Sequence, residues 1–412
     1  MFQTLILALM LVQTAAPGRY EMGERVKSLD RQWLVVNDEA KRRQAVQEIS
    51  VAVGAFFSGR ASDACKALDR ARAALEGRNL TPGDAVALRA SKPVFAPGET
   101  VTILQTWAYN TEGEPPTLKI GEKTVTLEFG KTKEISVDPT LIPAPDADVV
   151  LEADCAGVKH FVAFSLIKNF DSRLEKLRQS DSRLARDLAE GIRAAISEQA
   201  ETSFPIARML KEAEGLDSGS LKPHDIEEIM YARQGNTVLR AFIPKSVETE
   251  ATVVVALHGA GGSENLFFEG YGAGIAVREA KKRGWVFLAP RATPSGAKNA
   301  LDWLKEVRGI QPKRLFVMGH SMGGGLALAT GALKPNALAL FAPAARTIPP
   351  DLAETPIFLA VGKQEMMLLR SNASALATVV KRKGEFREYD PCEHLMIVAD
   401  AVPDAFRFFD AR

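Results

Sequence analysis

The chain has 412 residues, 46% hydrophobic and 25% charged, the composition of a globular protein long enough for two or three domains. Lys and Arg number 52 against 51 Asp and Glu, so the formal charge of +1 excludes a global electrostatic attraction to nucleic acid or anionic lipid. Cys65, Cys155 and Cys392 form no Cys-x-x-Cys pair, which argues against thiolate metal sites and dithiol redox chemistry and leaves room for one disulfide.

The first twelve residues, MFQTLILALMLV, are an apolar run followed by small residues and then by charged sequence from Arg19. The run is too short to cross a bilayer and has the length of a signal-peptide core, although its only positive charge is the terminal amine. A signal peptide is therefore expected over residues 1–18, with a secreted or periplasmic product; the competing expectation is an apolar first helix tucked into the fold. No later stretch approaches the ~20 apolar residues of a membrane span.

Residues 19–80 have a helical pattern. Asn37 is placed as an N-cap before Asp38 and Glu39, Gly59 as a stop, and Val46, Ile49, Val53 and Phe57 recur at spacings of three and four as one buried stripe. Residues 81–168 change to short runs such as VALRA, TVTILQTW, KTVTLEF and KHFVAFSL, punctuated by Pro and Gly. This texture predicts a small β-sandwich resembling an immunoglobulin-like accessory domain. A carbohydrate platform there would need exposed aromatics; Trp107 and Tyr109, two apart, are better taken as ordinary sheet residues. Residues 169–235 are expected to be a helical connector, with a last short helix over Pro223–Arg233.

From residue 236 to 412 seven apolar strands alternate with helical stretches, which predicts an α/β fold with a mostly parallel sheet covered on both faces and its site at the carboxyl ends of the strands. The motifs fall there. Gly319-His320-Ser321-Met322-Gly323 follows the strand RLFVM and precedes GGLALATGAL. A serine on a tight strand-to-helix turn needs glycine two residues either side, because side chains there would clash. His258-Gly259-Ala260-Gly261-Gly262 follows the strand VVVAL. Acyl transfer builds negative charge on a carbonyl oxygen; the N–H of Met322 supplies one donor to it and Ala260 or Gly261 the second. Neither a dinucleotide-binding nor a Walker glycine pattern is present.

On these residues the chain resembles the α/β-hydrolase superfamily over 236–412, with HGAGG similar to its oxyanion loop and GHSMGG to its nucleophile elbow. The resemblance implies a three-layer α/β sandwich and the chain order nucleophile, acid, base. It makes His394 in CEHLMIV, the one histidine after Ser321, the base, with Glu393 standing where the family usually has Gly. The acid it implies is Glu365, three residues after Gly362 where Asp is usual; Asp390, four residues before His394, is the alternative. His320 is expected to pack and His258 to order its own loop.

Such a serine hydrolase forms an acyl-enzyme and needs no metal or organic cofactor. The elbow resembles those of dienelactone hydrolases, carboxylesterases and polyester depolymerases, and of prolyl oligopeptidase-like peptidases, which usually stand behind a β-propeller that the short sandwich cannot be. The expected substrate is a small-molecule or polymer-derived ester, with a peptide as the alternative. A third expectation, of another class, is an inactive hydrolase-fold binding protein. Pocket walls are expected from residues 262–285 and 291–299, with Arg291 either contacting a polar substrate group or forming a surface ion pair. Nothing in residues 1–235 suggests chemistry.

Overall fold

The computed structural model describes residues 17–142, 145–197 and 200–412; the apolar run assigned to a leader lies outside them. Three helices come first, α1 (Arg19–Val35), α2 (Glu39–Phe57) and α3 (Ala61–Glu76). Asp38, not Asn37, caps α2, its carboxylate accepting from the Lys41 N–H at 3.1 Å. The expected stripe divides. Val46 and Ile49 are buried, whereas Phe57 is 53% exposed and Val53 only partly covered.

Strands β1 (Val86–Ala90), β2 (Val94–Phe95), β3 (Thr102–Trp107), β4 (Thr117–Ile120), β5 (Lys123–Thr126), β6 (Lys133–Ser136), β7 (Ala147–Cys155) and β8 (Val158–Leu166) form two sheets. Their orders are β1-β3-β6 and β2-β8-β7-β4-β5, over a shared core that includes Ile103, Trp107, Val162 and Phe164. Trp107 and Tyr109 are both buried, so neither offers a ring to a sugar. All three cysteines are free and buried.

Helices α4 (Phe170–Leu177), α5 (Arg183–Ser197) and α6 (Ile206–Ser218) follow. The helix expected over 223–233 is instead a short turn and a strand, β9 (Glu228–Gln234), paired antiparallel with β10 (Thr237–Phe242). A two-residue turn joins them, with Gly235 at φ 56°. Period-two pairing wins over the helical reading, and the large sheet begins at Glu228 rather than at residue 236.

The remaining elements are β11 (Glu250–Leu257), α7 (Leu266–Glu269), α8 (Tyr271–Arg283), β12 (Val286–Pro290), α9 (Gly296–Arg308), β13 (Gln311–His320), α10 (Met322–Ala327), β14 (Ala337–Phe341), β15 (Ile357–Gly362), α11 (Met367–Val380), β16 (Glu385–Tyr389) and α12 (Ile397–Asp410). The eight strands lie in the order β16-β15-β14-β13-β11-β12-β10-β9, parallel from β16 to β12 and antiparallel beyond.

Alternate residues of β11 enter different cores. Val253, Val255 and Leu257 pack with residues of α5, α6, α9 and α11, while Val254 and Ala256 pack with residues of α1, α2, α3, α8 and α12. Such strands are buried on both faces, which is why they read as continuous apolar runs. The N-terminal helices thus share a core with the sheet. Trp33 of α1 is fully buried, its indole N–H donating to Asp400 of α12 at 2.8 Å, with the Arg42 guanidinium 4.4 Å above its ring.

Candidate active site

Ser321 stands between the central strand β13 and α10 with φ 54° and ψ −116°, a conformation that L-residues rarely adopt. The glycines around it are required by contact. A Cβ on Gly319 would come 2.2 Å from the Gly323 carbonyl oxygen, and one on Gly323 would come 2.0 Å from that of Leu257. The turn is held by the Ser321 N–H donating to Phe341 O at 2.9 Å and by Ser321 O accepting from Gly324 at 3.0 Å and Ala344 at 2.9 Å. Met322, as the first residue of α10, has an N–H with no acceptor inside its own helix.

His394 and Glu365 come together from the ends of neighbouring strands, with Nδ1 and Oε2 3.0 Å apart and both residues buried. Backbone stitching fixes this. The Lys363 N–H donates to Tyr389 O at 2.8 Å, Gln364 N–H to Cys392 O at 3.0 Å, and Cys392 N–H to the Gln364 side chain at 2.8 Å. Gly362 allows the approach, since a Cβ there would lie 2.3 Å from Cys392 O. Glu393 turns under the loop and accepts from the N–H groups of Leu395 and Met396 at 2.8 and 2.9 Å; burial pushes its carboxyl up to about 7. It replaces the flexibility of a glycine with a cap.

Asp390 is engaged elsewhere. It takes the Gln364 amide and the Arg43 guanidinium, each at 3.0 Å, and the Lys363 ammonium at 3.3 Å, and these hold its carboxyl down at about 2. Arg291 forms a forked pair with the buried Glu264, both bonds 3.0 Å, and is absent from the wall of the cavity beside His394. Cys392 is fully buried, and burial raises its thiol well above the ordinary range, against any thiolate role.

The HGAGG loop is clamped at its start. His258 Nε2 accepts from the Ala292 N–H at 2.9 Å, so its proton sits on Nδ1, which donates to Gly259 O at 2.8 Å. The Gly259 N–H donates to the Tyr271 hydroxyl at 3.0 Å. Tyr271 lies 2.8 Å from His320 Nδ1, and His320 Nε2 lies 2.8 Å from the His394 carbonyl. A carbonyl only accepts, so Nε2 carries the His320 proton. Burial keeps that imidazole neutral, its pKa well below the usual value, so Nδ1 is bare and accepts from Tyr271. His320, read from the sequence as a packing residue, thus joins the oxyanion loop to the backbone of His394. Its signal was adjacency to the serine; Tyr271 had none.

Beside these groups lies a cavity of about 180 Å³, lined by Gly259–Gly262, His320 and His394 and by residues of α1, α2 and α3. Ser321, 6% exposed, is not itself in the lining but stands behind it: a Cβ on the lining residue Gly259 would come 3.3 Å from Ser321 Cβ. Of the expected walls, the segment after Gly262 contributes Asn265, Leu266 and Glu269–Tyr271, whereas residues 291–299 do not. The sequence missed the contribution of the first helices. Among the described residues no cluster of His, Cys, Asp or Glu is arranged to hold a metal, and no helix is long and apolar enough to cross a membrane.

A mostly parallel sheet with serine on the turn after its central strand, a His–Glu pair at strand ends and a glycine loop opposite is an α/β arrangement that gathers its polar groups at the carboxyl ends of the strands. Over 43–45% of its length the chain is similar to solved structures of esterases and of a putative alpha/beta hydrolase. Est1E from Butyrivibrio proteoclasticus is 16% identical, covering 45% of this chain and 100% of its own, with TM-score 0.36. A thermophilic esterase, Est2, from the planctomycete Thermogutta terrifontis, solved with butyrate bound, is 15% identical over 43% of this chain and 91% of its own, TM-score 0.35. An esterase from Pyrobaculum calidifontis is 16% identical over 43% and 84%, TM-score 0.33. No protein-family profile and no curated protein matches the sequence.

Proposed function

We propose that the protein is a serine hydrolase that cleaves carboxylic esters, with Ser321 as nucleophile, His394 as general base and Glu365 as the acid that orients it. The observation that carries this is the buried 3.0 Å pairing of His394 Nδ1 with Glu365 Oε2, at the rim of a cavity whose other wall is the HGAGG loop. With the Nδ1 proton held by Glu365, Nε2 is the bare nitrogen that takes the Ser321 hydroxyl proton as the oxygen attacks the acyl carbon. The carbonyl oxygen becomes an oxyanion, met by the N–H of Met322 and by that of Ala260 or Gly261. Gly259 is excluded as a donor because its N–H is already given to Tyr271. Collapse of the adduct breaks the ester C–O bond, and the Nε2 proton passes to the leaving alkoxide. Water, deprotonated by His394, then attacks the acyl-serine and releases the acid.

A fluorophosphonate should label Ser321 and no other residue, and p-nitrophenyl acetate should be turned over by the wild type but not by Ser321→Ala or His394→Ala. Absence of labelling in folded protein overturns the assignment and leaves a hydrolase fold that only binds. Faster cleavage of peptide anilides than of esters would move the substrate class to peptides.

A further inference from the structure

The cavity beside the His–Glu pair is built from two parts of the chain. One end is the HGAGG loop and His394, continued by Leu266 and Glu269–Tyr271; most of the remaining apolar lining is supplied by Met22 and Val26 of α1, Val53, Phe56 and Phe57 of α2, and Leu68 of α3, none of which belongs to the large sheet or its crossover helices. The two phenylalanines pack edge to face with ring centroids 5.4 Å apart and bridge the two catalytic walls. Phe57 lies 6.5 Å from the His394 ring, and Phe56 lies on Gly261, where a Cβ would come 2.4 Å from its Cζ. The ionic side chains of the lining have partners: Arg19 pairs with Glu201 at 3.3 Å, Lys27 with Glu269 at 3.5 Å, and Glu269 also with Arg240 at 2.5 Å. What these residues present inward is therefore apolar surface.

Resting on the ester-hydrolase reading above, we infer that helices α1 and α2 form the acyl subsite and that it takes one apolar acyl group, a medium chain or a single ring. Size sets the scale. An apolar cavity of about 150 Å³ holds benzene, so 180 Å³ holds an acyl group a little larger than a six-membered ring. The wall formed by Gly259–Gly262 is the one proposed to meet the carbonyl oxygen, and Phe56 lies directly on Gly261, so the acyl chain is placed under Phe56 and Phe57. The alcohol, once protonated by His394, must leave to water, and whether it or the acyl chain enters the cavity is what the two ester series distinguish.

The test is a p-nitrophenyl ester series from acetate to dodecanoate, kept below micelle-forming concentrations, beside a series of hexanoates of different alcohols. With burial of each methylene worth about fourfold in kcat/KM, the rise from acetyl to hexanoyl should reach roughly 250-fold and stop near octanoyl. Val53→Trp, which fills the cavity from α2, should lower the hexanoyl-to-acetyl ratio by about tenfold or more, since it removes room for several methylenes. Should that variant fail to fold, alkyl fluorophosphonates of increasing chain length on the wild type give the same readout, as a labelling rate at Ser321 that rises and then levels. Labelling of Ser321 combined with a flat acyl series, or with rates that follow the alcohol instead, overturns the acyl subsite alone. No labelling at all overturns the hydrolase reading and this inference with it.

Discussion

Replacing Tyr271 by Phe removes one hydroxyl that serves two buried groups, the Gly259 N–H at 3.0 Å and His320 Nδ1 at 2.8 Å. No water can replace it without displacing the ring that packs against Phe267 at 4.9 Å and His320 at 5.0 Å. A buried donor or acceptor left without a partner costs about 1–3 kcal/mol, so the loss of folding stability should be about 2–6 kcal/mol. The catalytic effect is separate. Gly259 opens the oxyanion loop, and His320 holds the His394 backbone through its other nitrogen at 2.8 Å, so both reacting walls lose an anchor. A drift of a few tenths of an ångström in donors aimed at the transition state should lower kcat by about 10- to 100-fold with KM changed far less. Steady-state kinetics at a temperature well below the variant's unfolding midpoint separate this from simple destabilisation. A double-mutant cycle with His320→Gln should give a coupling energy of at least about 1 kcal/mol. A folded Tyr271→Phe enzyme with kcat within twofold of the wild type would refute the linkage.

Glu365→Gln should lower kcat by about 10³- to 10⁴-fold, because the amide no longer fixes the imidazole tautomer, while Asp390→Asn should leave it within a few-fold; the reverse ranking would make Asp390 the acid. Gly323→Ala, whose Cβ would come 2.0 Å from the Leu257 carbonyl, should displace the elbow and slow fluorophosphonate labelling of Ser321 by more than about 100-fold, and normal labelling would show that the turn has slack. Asp30 of α1 is fully buried, faces the N–H groups of Gly272 and Ala273, and has its carboxyl pushed up to about 7 by burial, against 3.8 for the free group. Between those values the folded chain keeps a proton that the unfolded chain has lost, so stability falls as pH rises through this window and levels above it. Urea unfolding at pH 5 and pH 8 should show a smaller loss in Asp30→Asn than in the wild type, and equal losses would remove Asp30 from the pH dependence.

What the sequence reveals of this site follows from how local each requirement is. The elbow is legible because Gly319 answers a clash only four residues away, with Gly323 O, although Gly323 itself clears the carbonyl of Leu257 on the adjoining strand. His394 and Glu365 are legible through chain order and strand ends, and the structure pairs them although Glu replaces the expected Asp and Glu393 the expected Gly. Tyr271 could not be found that way. It sits in a run of left-handed residues, with φ of 47° for Tyr271 and 51° for Ala273, conformations that neither side chain favours and that no propensity predicts. The strand β9 was hidden for the opposite reason: EIMYARQ has apolar residues in adjacent positions, which fit a helix until Gly235 turns the chain back.

The first helices show the same limit at the scale of function. The amphipathic stripe of α2 says that one face is covered, and by what it does not say; Val46 and Ile49 meet the shared core, while Val53 and Phe57, on the same stripe, meet the cavity. Their attachment to the sheet is what makes the site whole. Trp33 on Asp400, Arg43 on Asp390 and Tyr109 on Asp69 tie α1 to α12, α2 to the loop after β16 and α3 to the small sheets. A chain cut before residue 228 would keep the serine, the histidine and both glycine loops, yet it would lose most of the apolar wall beside them and expose the core those helices cover. Truncation should therefore damage folding and chain-length selection together, which is the behaviour of a built-in half of an active site and not of a separate targeting module.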